Sequence, residues 1–368
     1  MDARHPGRSL TRPTAAGVSV LLLVIVVVVL VGASRVVLDD EAADRRYSAV
    51  PALGATWHAT WKSETDASRA RELDILRAHG LDWVRIDVGW AMLQPRRGSF
   101  DTTWAVPLVE RQIEAARARG FKVLVTFWGT PGWANGGRGT RVAPDDPRDY
   151  AVALGYLVNR WKGKVDGWEI WNEPNSTSFF SPADPVRYTE MLKLAYGAAK
   201  DADPDSTVVL GGTEYVDTEW LGKVYDAGAQ GHFDVMAVHP YMGNAALAPT
   251  TFSDNKWYMM HVDDLVQLMR ARGDGDLPIF FTEFGWSVHA NSATTPPWKR
   301  GVTEQQQADY LEQSVALTRY RWPQVTAMFW YNSRDTNTGQ PHKDGFGLMR
   351  RDFTPRPALA RMRVLASK

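Results

Sequence analysis

The chain contains no cysteine, which removes disulfides, thiolate zinc sites and a thiol nucleophile from consideration at once. It also lacks a surplus of either charge, since 42 Lys and Arg stand against 42 Asp and Glu. There is therefore no basic footprint to draw it onto nucleic acid. No low-complexity linker interrupts it after Pro51, and no Gly-rich phosphate loop follows the first apolar run. The nucleotide-binding versions of a doubly wound sheet lack their signature here. The histidines show no metal-ligand spacing, so neither a metal nor a cofactor is expected.

Aromatic residues are abundant instead. Sixteen tryptophans provide flat apolar rings, which either fill a core or pack against the C–H face of a sugar. A hydrophobic fraction of 44% over 368 residues supports a sizeable folded core.

One long uncharged run is present, from Ala15 to Ser34, almost pure Val, Leu and Ile between Leu21 and Leu30. Arg4, His5, Arg8 and Arg12 precede it, and Asp39, Asp40 and Glu41 follow. That polarity places the amino terminus in the cytoplasm and the remainder outside. Roughly 20 apolar residues suffice to span a bilayer, while Val31-Gly32-Ala33 offers small residues for signal-peptide cleavage. The expected organisation is a cytoplasmic tail (1–14), a transmembrane anchor or signal peptide (15–34), a linker (35–50) and one large domain (51–368). The expected location is the cell membrane, single-pass with the domain outside, or the exterior after cleavage.

From Pro51 onward short apolar runs alternate with polar loops and amphipathic stretches, which predicts alternating strands and helices around a parallel sheet. Eight strands are expected: 54–57, 83–88, 122–127, 167–171, 208–211, 235–239, 279–282 and 327–330. Each reads as apolar on both faces, as strands do between a barrel core and a helical jacket. Gly80 and Gly120 end helical stretches, and Thr303 with Gln306 forms a capping box. The fold class is α/β, a (β/α)₈ barrel. Loops after the third, fourth, seventh and eighth strands are long, which points to a site at the carboxyl-terminal face.

Two of those strand ends carry carboxylates. Trp168-Glu169-Ile170-Trp171-Asn172-Glu173-Pro174-Asn175 runs an apolar strand into Glu173 and stops at proline. Phe281-Thr282-Glu283-Phe284-Gly285 presents Glu283 amid aromatic rings, where an acid is costly without purpose. Strands four and seven of eight lie nearly opposite one another. Cleaving a glycosidic bond needs such a pair, one carboxyl protonating the departing oxygen and the other attacking the anomeric carbon or activating water. Glu169, also in the fourth strand, reads as a barrel-interior residue in an ion pair.

Asn172-Glu173-Pro174 and Thr282-Glu283-Phe284-Gly285 resemble the signatures of the 4/7 superfamily of retaining glycosidases, clan A. With His239-Pro240-Tyr241 on the sixth strand, the chain is most similar to glycoside hydrolase families 39 and 5. The resemblance implies that residues 51–368 are a catalytic domain with Glu173 as acid/base and Glu283 as nucleophile. Asn172 would bond the sugar 2-hydroxyl, Arg85 would contact the nucleophile, His239 and Tyr241 would support the site, and Trp330 would floor the glycone subsite. Two departures stand out. Phe127-Trp128-Gly129 ends the third strand where many family 5 enzymes carry histidine, and the tail is too short for the β-sandwich of family 39 xylosidases.

Trp57, His58, Trp61, Trp90, Trp128, Trp133 and Trp286 are candidate sugar platforms or packing residues, and Asp344 and His342 lie in the loop after the last strand. The expected partner is a carbohydrate substrate, with the membrane reached through the amino-terminal segment and no obligate protein partner. Hydrolysis of a β-linked oligo- or polysaccharide leads. A transglycosidase and a catalytically retired carbohydrate-binding barrel are the alternatives.

Overall fold

The computed structural model describes residues 50–366. The run at 15–34, the tail before it and nearly all of the linker lie outside the described residues. Among the described residues, no helix is long and apolar enough to cross a membrane.

The strands are β1 (Ala52–Thr56), β2 (Trp83–Gly89), β3 (Lys122–Trp128), β4 (Gly167–Ile170), β5 in two pieces (Val208–Leu210 and Thr213–Glu214), β6 (Met236–His239), β7 (Ile279–Phe284) and β8 (Val325–Trp330). All ladders between them are parallel. The two pieces of β5 form the two ends of the hydrogen-bonded order. Because those pieces are consecutive in the chain, and Val209 bridges Val235 just before β6, the sheet curls round on itself in the manner of a (β/α)₈ barrel.

Eight main helices follow the strands in turn: α1 (Asp66–Ala78), α2 (Ala105–Arg117), α3 (Pro147–Arg160), α4 (Pro185–Ala202), α5 (Thr218–Asp226), α6 (Val262–Ala271), α7 (Glu304–Arg321) and α8 (Pro357–Ala366). Gly80 and Gly120 take left-handed φ values of 82° and 78° just beyond α1 and α2, as helix-ending glycines do. Thr303 and Gln306 exchange the two bonds of a capping box at the start of α7.

The period of two along each strand sorts the side chains into two cores. Outward residues such as Val84, Ile86 and Val88 of β2 join the large cluster beneath the helices. Inward, Trp83, Leu124, Val209, Phe280 and Phe329 form a separate apolar plug, with Trp83, Phe280 and Phe329 in ring contact at 5.8 to 6.1 Å. The expectation of strands apolar on both faces holds only for this lower half. One inward step nearer the mouth the barrel turns polar, with buried Arg85, Thr126, Glu169, His239 and Thr282. The apolar plug closes one end of the barrel and leaves the polar layer at the other, where the long loops gather.

Removing a ring from the plug tests this division. Phe329→Ala is expected to cost about 3–5 kcal/mol in urea unfolding. A cost under about 1 kcal/mol would mean that the barrel interior is not packed this way.

Candidate active site

β4 ends at Ile170, and the chain then makes two left-handed steps, at Trp171 (φ 76°) and Glu173 (φ 48°). Non-glycine residues adopt this region only when their surroundings hold them there. Trp171 is held by its ring N–H on the carbonyl of Phe179 and its backbone N–H on that of Phe127. Glu173 is held by its N–H on the carbonyl of Gly212. Glu173 is thereby turned over the barrel mouth, where it remains 7% exposed.

On the opposite side, β7 is irregular. Its register against β8 advances three residues between Phe281 and Phe284 while β8 advances two, from Met328 to Trp330. Such a bulge changes where side chains point. Here both Thr282 and Glu283 reach the interior: Thr282 contacts His239, and Glu283 contacts Arg85 and Tyr241. One carboxylate oxygen each from Glu173 and Glu283, and a ring nitrogen of His239, lie within 4.8 Å of one another.

Arg85 joins the set together. Its Nε donates to Glu169 at 2.8 Å, Nη1 to Glu283 at 2.6 Å, and Nη2 to Asn172 Oδ1 at 2.7 Å. Glu169 also accepts from Thr126 and from the N–H of Gly212, as befits a barrel-interior ion-pair residue. Tyr241 donates to the second oxygen of Glu283 at 3.0 Å. His239 lies 3.0 Å from Glu173 through Nδ1 and 3.0 Å from Thr282 through Nε2. The Gly211-Gly212 break in β5 makes room for this pair, because a Cβ on Gly212 would sit 2.4 Å from His239 Nε2 and 2.5 Å from Thr282 Oγ1.

The field splits the two carboxyls. Burial, opposed by the hydrogen bond and charge of His239 and reinforced by Glu283, pushes Glu173 up to about 7. Burial would raise Glu283 too, but His239, Arg85 and Tyr241 outweigh it and hold that carboxyl below its ordinary value. His239 is raised, since its two carboxylate neighbours overcome burial. His58, behind them, is pushed down to about 4 by burial and is neutral at neutral pH. Glu173, His239 and Glu283 are also spaced as metal ligands could be, although Arg85 already occupies one oxygen of Glu283 with a positive charge.

Several anticipated sugar contacts lie elsewhere. Trp330 is fully buried, edge-on to Phe284 and tilted against Trp286, with its N–H on the carbonyl of Phe346. It sits outward because Ala327 and Phe329 take the inward positions of β8; Tyr331 is next inward, within electrostatic reach of Glu283, Asp87 and Arg85. Trp57 is outward and buried for the same reason, which puts His58 inward, stacked on Trp61 at 4.0 Å. Trp90 and Trp286 are core residues, and Trp133 donates to Gln94 beneath the guanidinium of Arg97. Trp128 remains partly exposed at the end of β3 beside Trp171 and Phe179. Asp344 is consumed in its own loop, accepting from Thr336, Thr338 and Gln340, and His342 packs on Phe346.

Two cavities flank the pair. One of about 440 Å³ lies between the loops after β1 and β8, lined by His58, Trp61, Glu64, Glu72, Arg334 and neighbours. The other, about 430 Å³, is lined by Asn175, Glu214, Tyr215, Asp217, Lys256, Trp257 and Trp298. Asn175 bonds both Glu214 and Asp217 there, so the residues just after Glu173 build its wall. Trp257 and Trp298 are 43% and 54% exposed. Neither was anticipated, nor was the long loop after β6 that carries Trp257.

Comparison with known proteins places the chain among glycoside hydrolases. The profile described as Cellulase (glycosyl hydrolase family 5) matches residues 46–334. A probable glucan 1,3-beta-glucosidase of Arthroderma benhamiae is 27% identical over 202 residues, 52% of this chain and 48% of that protein. A beta-xylosidase of Caldicellulosiruptor saccharolyticus is 22% identical over 224 residues, 57% of this chain and 43% of that one. The matches thus span about half the length of these relatives or less. Among solved structures, a family 39 glycoside hydrolase from Bacteroides cellulosilyticus WH2 superposes with a TM-score of 0.67 at 24% identity, over 86% of this chain and 63% of that one. At that identity the likeness is one of fold.

The raised Glu173 has a consequence for stability. The folded protein keeps a proton up to about 7 that the unfolded chain releases near 4.5, so the folded state binds more protons in between and stability falls as pH rises through that window. Asp87 and Asp335, both raised to about 6, act in the same sense. Glu173→Gln should therefore flatten the decline in urea midpoint between pH 5 and 7. An unchanged slope would show that Glu173 does not titrate there.

Proposed function

The chain belongs to glycosyl hydrolase family 5, and from that membership and its paired carboxyls we propose that it hydrolyses a β-linked oligo- or polysaccharide by double displacement. The observation carrying this reading is the separation of Glu173 and Glu283 with their divergent protonation. Oxygens within 4.8 Å match the roughly 5–5.5 Å of a pair that forms a glycosyl-enzyme, and leave no room for the water of an inverting pair at roughly 6.5–9.5 Å. Glu283, ionised and oriented by Arg85 and Tyr241, attacks the anomeric carbon. As the glycosidic C–O bond breaks, Glu173 gives its proton to the departing oxygen. Glu173, now a carboxylate, takes a proton from water, whose oxygen attacks the same carbon and releases Glu283. Asn172 keeps its amide NH₂ for the 2-hydroxyl, because Arg85 holds its oxygen.

The flanking cavities support a cleft for several sugar units. We place the catalytic domain outside the cell, held at the membrane by the segment at 15–34 or released from it. The aromatic cavity beside Glu173 also favours a second reading, transglycosylation, in which a sugar hydroxyl bound near Trp257 and Trp298 replaces water as acceptor.

The test is sugar release by the full chain from β-1,3-glucan, xylan, mannan and aryl β-glycosides. Glu173→Gln and Glu283→Gln should each lose about 10³-fold or more in kcat on the polysaccharide the wild type cuts; activity surviving in both would end the two-carboxyl mechanism. The wild-type kcat/KM should follow a bell, its basic limb near 7 from Glu173 and its acid limb below the ordinary carboxyl value of 4.5 from Glu283. A basic limb that persists unchanged in the residual activity of Glu173→Gln would show that Glu173 is not the group that must be protonated.

A further inference from the structure

Three carboxyl groups in the polar half of the barrel are held by protein donors or by His239. Glu169 is bound by Arg85, Thr126 and Gly212, Glu283 by Arg85 and Tyr241, and Glu173 by His239. Asp87 is a further one. It follows Arg85 on the inward row of β2, one step nearer the mouth, opposite Thr126 of β3 in the ladder. It is close enough to Arg85, Glu283, Glu169 and His239 to feel the charge of each, and Tyr331 at the end of β8 feels Asp87 in turn. Its backbone carbonyl accepts from Thr60. Among the described residues, however, no hydrogen-bond donor reaches its carboxylate.

An acid drawn largely out of water without donors is costly, and surrounding acids raise that cost. Burial and those acids together push Asp87 up to about 6. The site keeps it beside Arg85, partly exposed at the mouth, where an incoming ligand can supply the missing donors. Asp87 lies on the side of Glu283 and Tyr331. The cavity lined by Asn175 and Glu214 lies on the other side, next to Glu173.

We propose that Asp87 sets glycone specificity by accepting hydrogen bonds from two adjacent ring hydroxyls, other than the 2-hydroxyl, of the sugar whose anomeric carbon faces Glu283. The proposal rests on the glycosidase reading. A carboxylate has two acceptor oxygens side by side and no donor of its own, so it suits a neutral vicinal diol. A sugar lacking one of those hydroxyls leaves the acid unsatisfied. Trp128, at the end of neighbouring β3, offers an apolar ring but no replacement acceptor.

The test uses the full chain with the 4-nitrophenyl β-glycoside that the wild type cleaves best and its monodeoxy analogues. Removing either of two adjacent hydroxyls should lower the wild-type kcat/KM by about 10²-fold or more, and Asp87→Asn should shrink both penalties to less than about 10-fold while leaving that of the 2-deoxy compound in place. A merely structural Asp87 would lower activity on every analogue in proportion, so an identical pattern of penalties in wild type and Asp87→Asn overturns the assignment. If the wild type releases nothing from any glycoside, the hydrolase reading fails separately. The same series is then titrated by calorimetry: levelling of the affinities by Asp87→Asn upholds the role of Asp87, and an unchanged or undetectable series overturns it.

Discussion

The structure depends on one buried guanidinium. Arg85 is wholly enclosed in the barrel, where an unpaired cation would be prohibitive, and its donors go to Glu169, Glu283 and Asn172. Three strands are thus tied to one planar fork. β2 supplies the cation, β4 supplies an anion and the asparagine, and β7 supplies the second anion. Breaking such a set by deleting one member leaves a stranded charge. Satisfying it leaves Glu283 ionised in a place where burial alone would protonate it. The same contact that closes the polar half of the barrel therefore prepares Glu283 for the role proposed for it.

The opposite protonation of Glu173 follows from what it lacks. It has no arginine; it has a histidine shared with Thr282, and the charge of Glu283 nearby. Burial raises both chemically identical side chains, but His239, Arg85 and Tyr241 outweigh it at Glu283, whereas at Glu173 His239 alone opposes it and burial prevails. The Gly211-Gly212 break is part of this device, because any side chain at Gly212 would displace His239 and with it the group that steadies Glu173. A local break in β5 is what allows Glu173 and His239 to face Glu283.

Much of this was legible in the residues. All eight strands fall where short apolar runs alternate with helical stretches, and Glu173 and Glu283 were visible because each ends an apolar strand with an acid. Arg85, Asn172, His239 and Tyr241 lie where their motifs suggested. The failures have physical causes. Trp330 and Trp57 turn outward because the inward phase of β8 and β1 is set by Ala327, Phe329, Gly54 and Thr56, and strand ends inherit that parity: Tyr331 and His58 face inward instead. Asp87 obeys the same rule, two residues beyond Arg85, but no motif marks it. Trp257 and Trp298 sit on loops, which carry no periodicity to reveal exposure. The absence of histidine at Phe127-Trp128-Gly129 does not take the chain out of family 5, whose profile matches residues 46–334.

The most direct test of the central claim is the anomeric configuration of the first-formed sugar, followed by proton NMR from the earliest minutes of hydrolysis of a polysaccharide that the wild type cleaves. Carboxyl oxygens within 4.8 Å predict that the β-anomer appears first and only later mutarotates, because two displacements restore the starting configuration. Initial appearance of the α-anomer would mean that water attacks directly, and that Glu283 is a base rather than the nucleophile which its bonds to Arg85 and Tyr241 prepare.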